Sequence, residues 1–187
     1  MYASAGKLFI ESKGYFLKSA VVHLVCGPVG AGKTTYSRDL ASIHTAVVFS
    51  MDEWMQNLFG GDLPKEADMA KVDFAWFAER VDRCEVEIWS IAEQLLKNGQ
   101  DVVLDLGFIR KARRDKARGA ASAHGFNHLL HIVDADIDTR RNRVANRNSS
   151  PGQTYSFAVT PAMFAFAEQM YAAPDEIESA HATTFHS

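Results

Sequence analysis

Short apolar runs alternate with longer amphipathic segments along this chain. Continuous apolar stretches predict four strands that are buried on both faces, at residues 21–26, 45–50, 101–106 and 129–133. The segments between them have apolar residues at every third or fourth position, which predicts helices. Strands that alternate with helices are typical of an α/β fold in three layers, with a mostly parallel sheet in the middle.

The predicted helices have recognisable ends. They lie at residues 33–42, 67–97, 110–124, 136–148 and 160–171, and a further short helix follows Asp52. The longest helix stops before Asn98 and Gly99, which are common residues at helix C-termini. Thr160 is a suitable N-cap for the last helix, and Pro161 fits its first turn because the proline nitrogen has no hydrogen to leave unpaired.

Length and charge narrow the class of protein. The chain has 187 residues, enough for one domain with a sizeable core. We assign this domain to residues 20–187. Residues 1–19 are interpreted as an N-terminal extension, either a small hairpin or in part an addition to the native chain. A net charge of −3 argues against a protein that binds duplex DNA, since such proteins usually carry a basic excess.

Cysteine usage and the length of the apolar runs indicate the compartment. The two cysteines, Cys26 and Cys84, form neither a disulfide framework nor a metal-binding pattern, which favours a reducing environment. No apolar run approaches the roughly 18 residues that are needed to span a bilayer. We therefore expect a cytoplasmic protein that makes no contact with a membrane. The oligomeric state stays open.

A glycine-rich loop directly follows the first predicted strand and begins the first predicted helix. Its residues are Gly27, Pro28, Val29, Gly30, Ala31, Gly32, Lys33 and Thr34, followed by Thr35, and they match G-x-x-x-x-G-K-[ST] in full. The glycines let backbone N–H groups and the helix N-terminus approach phosphate oxygens closely. In such a loop, Lys33 reaches the β- and γ-phosphates and the Thr34 hydroxyl binds Mg²⁺. The loop therefore predicts a site for a nucleoside triphosphate with Mg²⁺.

Two aspartates follow predicted strands at the sheet edge where ligands bind in folds of this class. Asp105 lies near the end of an apolar strand, a position typical of a carboxylate that holds Mg²⁺ directly or through water. Asp52 follows the second strand, where it faces the γ-phosphate and can accept a proton from an attacking hydroxyl. Alternatively, Asp52 only caps the short helix that follows. Asp101 begins its strand at the opposite edge and is interpreted as structural.

Arginines are concentrated in two of the predicted helices. Near the active edge of the sheet they are expected to hold an anionic substrate or to neutralise charge in a transition state. The candidates are Arg110 with Arg113 or Arg114 on the first of these helices, and Arg140, Arg143 or Arg147 in a lid segment around 136–153. The alternative is that most of these side chains form ordinary solvated faces.

Histidines and the chain end carry weaker signals. His23 lies inside a strand, so core packing or a hydrogen bond is expected there rather than catalysis. The other histidines considered, His124, His128 and His131, lack the spacing of a metal site. Residues 170–176 either fold over the nucleotide base or belong to an exposed terminus.

With these residues in place, the chain resembles the small P-loop kinases of the polynucleotide kinase, zeta toxin and chloramphenicol phosphotransferase type. The resemblance rests on GPVGAGKTT, SMDEW, VVLDLGFIRKARR and RRNRVANR, and it covers roughly residues 20–178. Bacterial AAA-family ATP-binding proteins are similar in the same segments. The resemblance implies a P-loop NTPase fold of the nucleoside-kinase kind, with a five-stranded parallel sheet.

The resemblance also implies roles for particular residues. It makes Asp52 the base that activates a substrate hydroxyl, and Arg147 or a neighbour a lid arginine. It suggests that Arg110 and Arg113 or Arg114 border the acceptor. Leu106 follows the strand aspartate where polynucleotide kinases commonly have threonine, which disfavours a polynucleotide acceptor.

We therefore predict an ATP-dependent, Mg²⁺-requiring kinase that phosphorylates a hydroxyl of a small molecule. ATP is expected rather than GTP, as the resemblance implies and because the chain lacks the Asn-Lys-x-Asp motif for guanine. A toxin-like or nucleic-acid-end kinase is one alternative. An ATPase switch whose hydrolysis regulates a partner is another. A nucleotide-binding protein without catalysis is disfavoured, since Lys33, Thr34, Asp52 and Asp105 are all present.

Overall fold

The structure, a computed structural model, describes residues 19–62, 74–150 and 158–187. Most of the predicted N-terminal extension, the start of the predicted helix 67–97 and the end of the predicted lid lie outside these residues. Five strands are present among them: β1 (Val21–Cys26), β2 (Val47–Ser50), β3 (Val102–Asp105), β4 (Asn127–Asp134) and β5 (Ala182–His186).

Seven α-helices surround these strands in the described part of the chain. They are α1 (Lys33–His44), α2 (Met51–Phe59), α3 (Phe74–Lys97), α4 (Lys111–Ala123), α5 (Ile137–Ser149), α6 (Pro161–Met170) and α7 (Glu176–Ser179). A single 3₁₀ turn, Gly60–Asp62, follows α2. None of the described helices combines the length and the apolar character needed to cross a membrane.

The sheet is entirely parallel and has the strand order β2-β3-β1-β4-β5. The predicted α/β architecture with a five-stranded parallel sheet is therefore confirmed. Because β1 lies at the centre of the sheet, its carboxyl end lies between those of β3 and β4. The glycine-rich loop leaves the sheet at that point, where ligands bind in parallel α/β folds.

Helices cover both faces of the sheet. On one face, α2, α3 and α4 pack over alternate residues of the central strand, including the fully buried Val22 and Leu24. On the other face, α1 packs Leu40 and Ala41 against Val25 and its neighbours. The strands are apolar on both faces because helices cover both.

Most predicted element ends agree with the structure to within a few residues, and the exceptions have local causes. The second strand begins at Val47 rather than at residue 45, because Thr45 ends α1 in a left-handed conformation with φ of 54°. At the last long helix, Thr160 accepts a hydrogen bond from the Met163 N–H, as an N-cap should. The predicted boundary there is confirmed.

The end of the chain, after residues 170–176, adds a strand that was not predicted from the sequence. Residues 182–186 form β5, which extends the sheet beside β4. The turn before it is anchored by Glu178, which is 2% exposed and accepts two hydrogen bonds from the fully buried Arg114. Arg114 also donates to the carbonyl oxygens of Phe108 and Ala172. Arg114 therefore ties the chain end to α4 and has no access to a substrate.

Replacing Glu178 with glutamine is expected to destabilise the fold by about 3 kcal/mol, because the buried Arg114 charge loses its counter-ion. Hydrogen bonds from Arg114 lower the pKa of Glu178 below its usual value. The ionised Glu178 therefore makes its full contribution to the free energy of unfolding above the unfolded-state pKa of about 4.3. This contribution is lost as pH falls through the folded-state pKa.

Urea denaturation of the wild type and of Glu178→Gln at several pH values tests this expectation. The loss in free energy of unfolding caused by Glu178→Gln should be largest at neutral pH and should shrink below about pH 4. Glu176→Gln is the matched control, because Glu176 is exposed in the same short helix. Equal stability of the two variants at pH 7 would refute the anchoring role.

Candidate functional site

The glycine-rich loop is held against the sheet by contacts that only glycine allows. A Cβ on Gly27 would overlap the carbonyl oxygen of Val133 on β4. Gly30 has φ of 79°, and a Cβ there would stand 2.7 Å from the backbone oxygen of Arg140. Gly32 also has a positive φ, 94°, at the N-cap of α1. Larger residues at these positions would clash or be strained. The glycines therefore let the loop adopt a shape that can hold an anion at the N-terminus of α1.

The two residues that follow the last glycine of the loop are already positioned for phosphate and metal. Lys33 donates from Nζ to the Pro28 carbonyl oxygen at 2.9 Å, so its ammonium group lies over the loop. Thr34 donates from Oγ1 to Asp105 Oδ2 at 3.1 Å. A hydroxyl oxygen and a carboxylate oxygen thus meet at the end of β3, and oxygen ligands of this kind suit Mg²⁺. The residues present fit that ion, with Thr34 and Asp105 to hold it.

Strand register brings Asp52 to the same place. In the parallel ladder between β2 and β3, Ser50 pairs with Asp105, so Asp52 lies two residues beyond the aligned strand ends. The N-cap of α2 is Ser50, whose Oγ accepts a hydrogen bond from the Glu53 N–H at 3.4 Å. The alternative interpretation of Asp52 as the helix cap is therefore wrong, and its carboxylate is left available in the first turn of α2.

The two carboxyl groups share one electrostatic environment. Burial raises the pKa of Asp105 to about 6; the Lys33 ammonium opposes this shift and the negative charge of Asp52 adds to it. The pKa of Asp52 is also raised, because surrounding protein atoms displace water from around a carboxyl group that keeps access to solvent. Lys33 and Arg147 partly offset the rise at Asp52. These interactions place Lys33, Asp52, Asp105 and Arg147 around one centre.

Two of the predicted lid arginines lie near that centre. Arg143 Nη1 stands 3.9 Å from the position of a Cβ on Gly32, and it donates to Ser187 Oγ at 2.7 Å. The half-buried Arg147 acts on the charge of Asp52, and its buried Nε has no hydrogen-bond partner among the described residues. A buried donor of this kind has bonding capacity left for a ligand. Both residues remain candidates for contact with phosphates.

Arg140 has a structural role. It is 6% exposed, forms a bidentate pair with Glu168 at 2.6 and 2.8 Å, and donates to the Val29 carbonyl oxygen at 3.2 Å. These bonds join α5, α6 and the glycine-rich loop. Arg140 therefore supports the glycine-rich loop through these bonds. The prediction that it reaches over the phosphates is wrong.

The arginines predicted to border the acceptor have different surroundings in the structure. Arg113 pairs with the buried Glu85 of α3 at 2.6 Å, which directs its guanidinium to the interface between α3 and α4. Arg110 is exposed at the start of α4 and donates only to the Met170 sulfur at 3.4 Å among its described contacts. Arg110 is thus free to meet a substrate, whereas contact of Arg113 with one requires breaking its ion pair.

One contact at the loop was not foreseen. Ser187 Oγ donates to the Ala31 carbonyl oxygen at 3.0 Å, and the Ser187 N–H donates to Asp134 O at 3.0 Å. This places the segment after β5 beside the glycine-rich loop. The sequence signal for this strand was the β-branched and aromatic residues at positions 182–186. A segment of this length is too short to distinguish a strand from an irregular tail.

The raised pKa of Asp105 predicts a pH dependence of metal-assisted nucleotide binding. Mg²⁺ must compete with a proton for this carboxylate, so the Mg²⁺-dependent gain in ATP affinity should fall as pH drops through about 6. Calorimetric titrations with ATP, with and without Mg²⁺, between pH 5 and 8 measure this gain. In Asp105→Asn the gain should be small at every pH. A full gain at pH 5 in the wild type would contradict the assignment.

Comparisons with known proteins identify a family and a shared fold. A family described as AAA domain (AAA_33) matches residues 22–170. No curated protein matches the sequence.

Solved structures share the fold at low sequence identity. A proposed kinase from Chloroflexus aurantiacus aligns with a TM-score of 0.68 at 17% identity, over 90% of this chain and 89% of that chain. Kti12 from Chaetomium thermophilum, bound to ADP–AlF3, aligns with a TM-score of 0.62 at 14% identity, over 89% and 88% of the two chains. The APS kinase CysC of Mycobacterium tuberculosis, in complex with AMPPNP and APS, gives 0.56 at 15% identity, over 90% and 89%. The fold is that of P-loop kinases.

Proposed function

The chain belongs to the AAA_33 family of AAA domains and has the fold of P-loop kinases; from this premise we propose that it is an ATP-dependent kinase for a hydroxyl group of a small molecule. The observation that carries the proposal is the meeting of Thr34 with Asp105 at 3.1 Å, with Asp52 two residues beyond the end of the adjoining strand. A phosphate loop and a metal-binding pair suffice for nucleotide binding. A second carboxylate with access to solvent adds a group that can activate an acceptor.

Each residue has a role in the proposed transfer. Loop N–H groups and Lys33 hold the β- and γ-phosphates, and Arg143 and Arg147 lie where added positive charge is useful. Thr34 and Asp105 hold Mg²⁺, which neutralises negative charge that develops on the phosphate oxygens. These groups are fixed before the reaction, so their electrostatic contribution requires little reorganisation.

The bond changes follow from this placement. The acceptor oxygen forms a bond to the γ-phosphorus while the bond from that phosphorus to the β–γ bridging oxygen breaks. Asp52 accepts the proton that the hydroxyl loses, and ADP leaves with the bridging oxygen. Burial raises the pKa of Asp52, which makes its carboxylate a stronger base than that of an ordinary surface aspartate.

Charge pairing on α4 favours a small acceptor over a nucleic-acid end. A nucleic-acid kinase needs unpaired basic groups along its acceptor groove. On α4, Arg113 and Lys116 both bind Glu85, and Arg114 and Arg118 both bind Glu178. Each of these four basic side chains therefore already has an acidic partner within the protein. The net charge of −3 points the same way.

Parallel measurement of ADP and inorganic phosphate tests the proposal. The protein is incubated with Mg·ATP, with and without a pool of small hydroxyl compounds, and both products are quantified. A kinase should release more ADP than phosphate when the pool is present. Equal amounts of ADP and phosphate, at a rate that the pool does not change, would favour an ATPase that regulates a partner.

A further inference from the structure

A second polar cluster lies at the edge of the sheet opposite the phosphate loop. It consists of His23, His44 and Asp101, each of which offers one ligand atom, and these three atoms lie within 4.8 Å of one another. Two imidazoles and one carboxylate are a donor set that proteins use for Zn²⁺ and related divalent ions. Nothing in the phosphoryl-transfer site uses these three residues.

Three separate elements bring the cluster together. His23 lies on β1 and points to the face that α1 covers, since its neighbours Val22 and Leu24 pack on the other face. His44 is the last residue of α1, and its ring centroid lies 4.7 Å from that of His23. Asp101 immediately precedes β3, where Oδ1 accepts a hydrogen bond from the Val21 N–H at 2.9 Å. Each donor is therefore fixed by the backbone of a different element.

The spacing of the donor atoms suits an ion between them. His23 Nε2 and Asp101 Oδ2 are 4.0 Å apart, which is too long for a hydrogen bond. In a tetrahedral complex with bonds of about 2.0–2.2 Å, neighbouring ligand atoms lie about 3.4 Å apart. Small side-chain rotations close that difference. His23 and Asp101 are at least 95% buried, whereas His44 is only partly buried and leaves the cluster accessible from the side of α1.

Neighbouring hydrogen bonds orient the His23 ring relative to Asp101. His23 Nδ1 lies 3.0 Å from His131 Nε2, and His131 Nδ1 lies 2.9 Å from the Tyr36 hydroxyl. If the His23 proton is on Nδ1 it donates to His131, which in turn donates from Nδ1 to the Tyr36 oxygen. This proton order leaves a lone pair on His23 Nε2, the atom that faces Asp101. Metal-binding histidines usually donate their other N–H in this way.

The position of His44 adds a further favourable interaction. The C-terminal end of a helix carries partial negative charge from its last carbonyl groups, which attracts a cation. Helix α1 has 12 residues and ends at His44, while its first residue is Lys33 of the phosphate loop.

We propose that His23, His44 and Asp101 form a binding site for a divalent transition metal, with Zn²⁺ as the fitting ion. The bound ion fastens the C-terminal end of α1 to β1 and to the start of β3. It stabilises the fold at the sheet edge remote from the nucleotide, and it takes no part in phosphoryl transfer.

Metal titrations of the tag-free, metal-stripped protein test this proposal in the presence of excess Mg²⁺, which saturates the oxygen site at Thr34 and Asp105. Co²⁺ serves as the spectroscopic probe and Zn²⁺ as the stabilising ion. The wild type should bind one Co²⁺ with the visible absorbance of a four-coordinate complex. Zn²⁺ at about tenfold excess over its Kd should raise the Tm by about 3–6 °C.

Two variants identify the ligands. His44→Gln should weaken Zn²⁺ and Co²⁺ binding at least tenfold, while its Tm without metal stays close to that of the wild type. Asp101→Asn should weaken binding similarly if it folds. His124→Gln is the matched control, because His124 is exposed just after the end of α4 and contacts Glu93 at 3.0 Å. Unchanged Zn²⁺ binding in His44→Gln, or wild-type protein without Co²⁺ absorbance, would overturn the proposal.

Discussion

Replacing Lys33 with alanine is expected to weaken Mg·ATP binding by a factor of about 10²–10³, which is the cost of removing one fixed charge from a phosphate site. The Lys33 ammonium lies over the loop, where it donates to the Pro28 carbonyl oxygen at 2.9 Å. It is therefore placed before a nucleotide arrives, and little is needed to redirect it to the β- and γ-phosphates.

Calorimetry with ATP, ADP and AMP measures this effect. The loss in Lys33→Ala should be largest for ATP and smallest for AMP, since only the outer phosphates meet the ammonium group. Lys97→Ala is the matched control: Lys97 ends α3 and pairs with Glu93 at 2.7 Å. Affinity for ATP equal to that of the wild type would contradict the phosphate-loop assignment.

Replacing Asp52 with asparagine is expected to lower turnover by a factor of about a hundred or more, with little change in nucleotide affinity. Asparagine keeps the size of the side chain and its place in the first turn of α2, but it cannot accept the acceptor's proton. Because Ser50 caps α2, this substitution should leave the helix intact.

Single-turnover kinetics and ATP titrations on the same preparations separate the two quantities. Glu53→Gln is the closest control, because the next residue is also a carboxylate but pairs with Arg38 at 2.7 Å. Its turnover should stay within about twofold of the wild type. Unchanged turnover in Asp52→Asn would exclude Asp52 as the base.

The elements that position the nucleotide were predictable because their signals are local. Gly27, Gly30 and Lys33 stand in a loop of fixed spacing, and the apolar strand before it must be buried. The Asp105 contact with Thr34 followed from one general property of parallel sheets, that their strand ends lie at one edge. The family match over residues 22–170 and the strand order agree with the predicted P-loop fold.

The arginines were less predictable, because their roles depend on partners distant in sequence. Arg114 and Arg140 looked like substrate ligands, yet each forms a buried pair with a glutamate from a later segment, Glu178 and Glu168. A helical pattern indicates which side of a helix a charge occupies, but it does not reveal a counter-ion 28 or 64 residues away.

The chain end and the histidine cluster share this limitation. Residues 182–186 are too short and too exposed to predict a strand, and their place in the sheet depends on pairing with β4. His23 was correctly expected in the core. Its proximity to His44 and Asp101 required the packing of α1 on the sheet, since the three residues have no metal-site spacing in sequence.

The central claim is that the γ-phosphoryl group moves from ATP to a hydroxyl at this site, and ³¹P NMR tests it most directly. The protein is mixed with Mg·ATP and a pool of small hydroxyl compounds, beside matched samples of Asp52→Asn. A new phosphoester resonance should grow together with ADP in the wild type, and its growth should be about a hundredfold slower in Asp52→Asn. Inorganic phosphate and ADP alone, formed at the same rate with and without the pool and in both proteins, would contradict it.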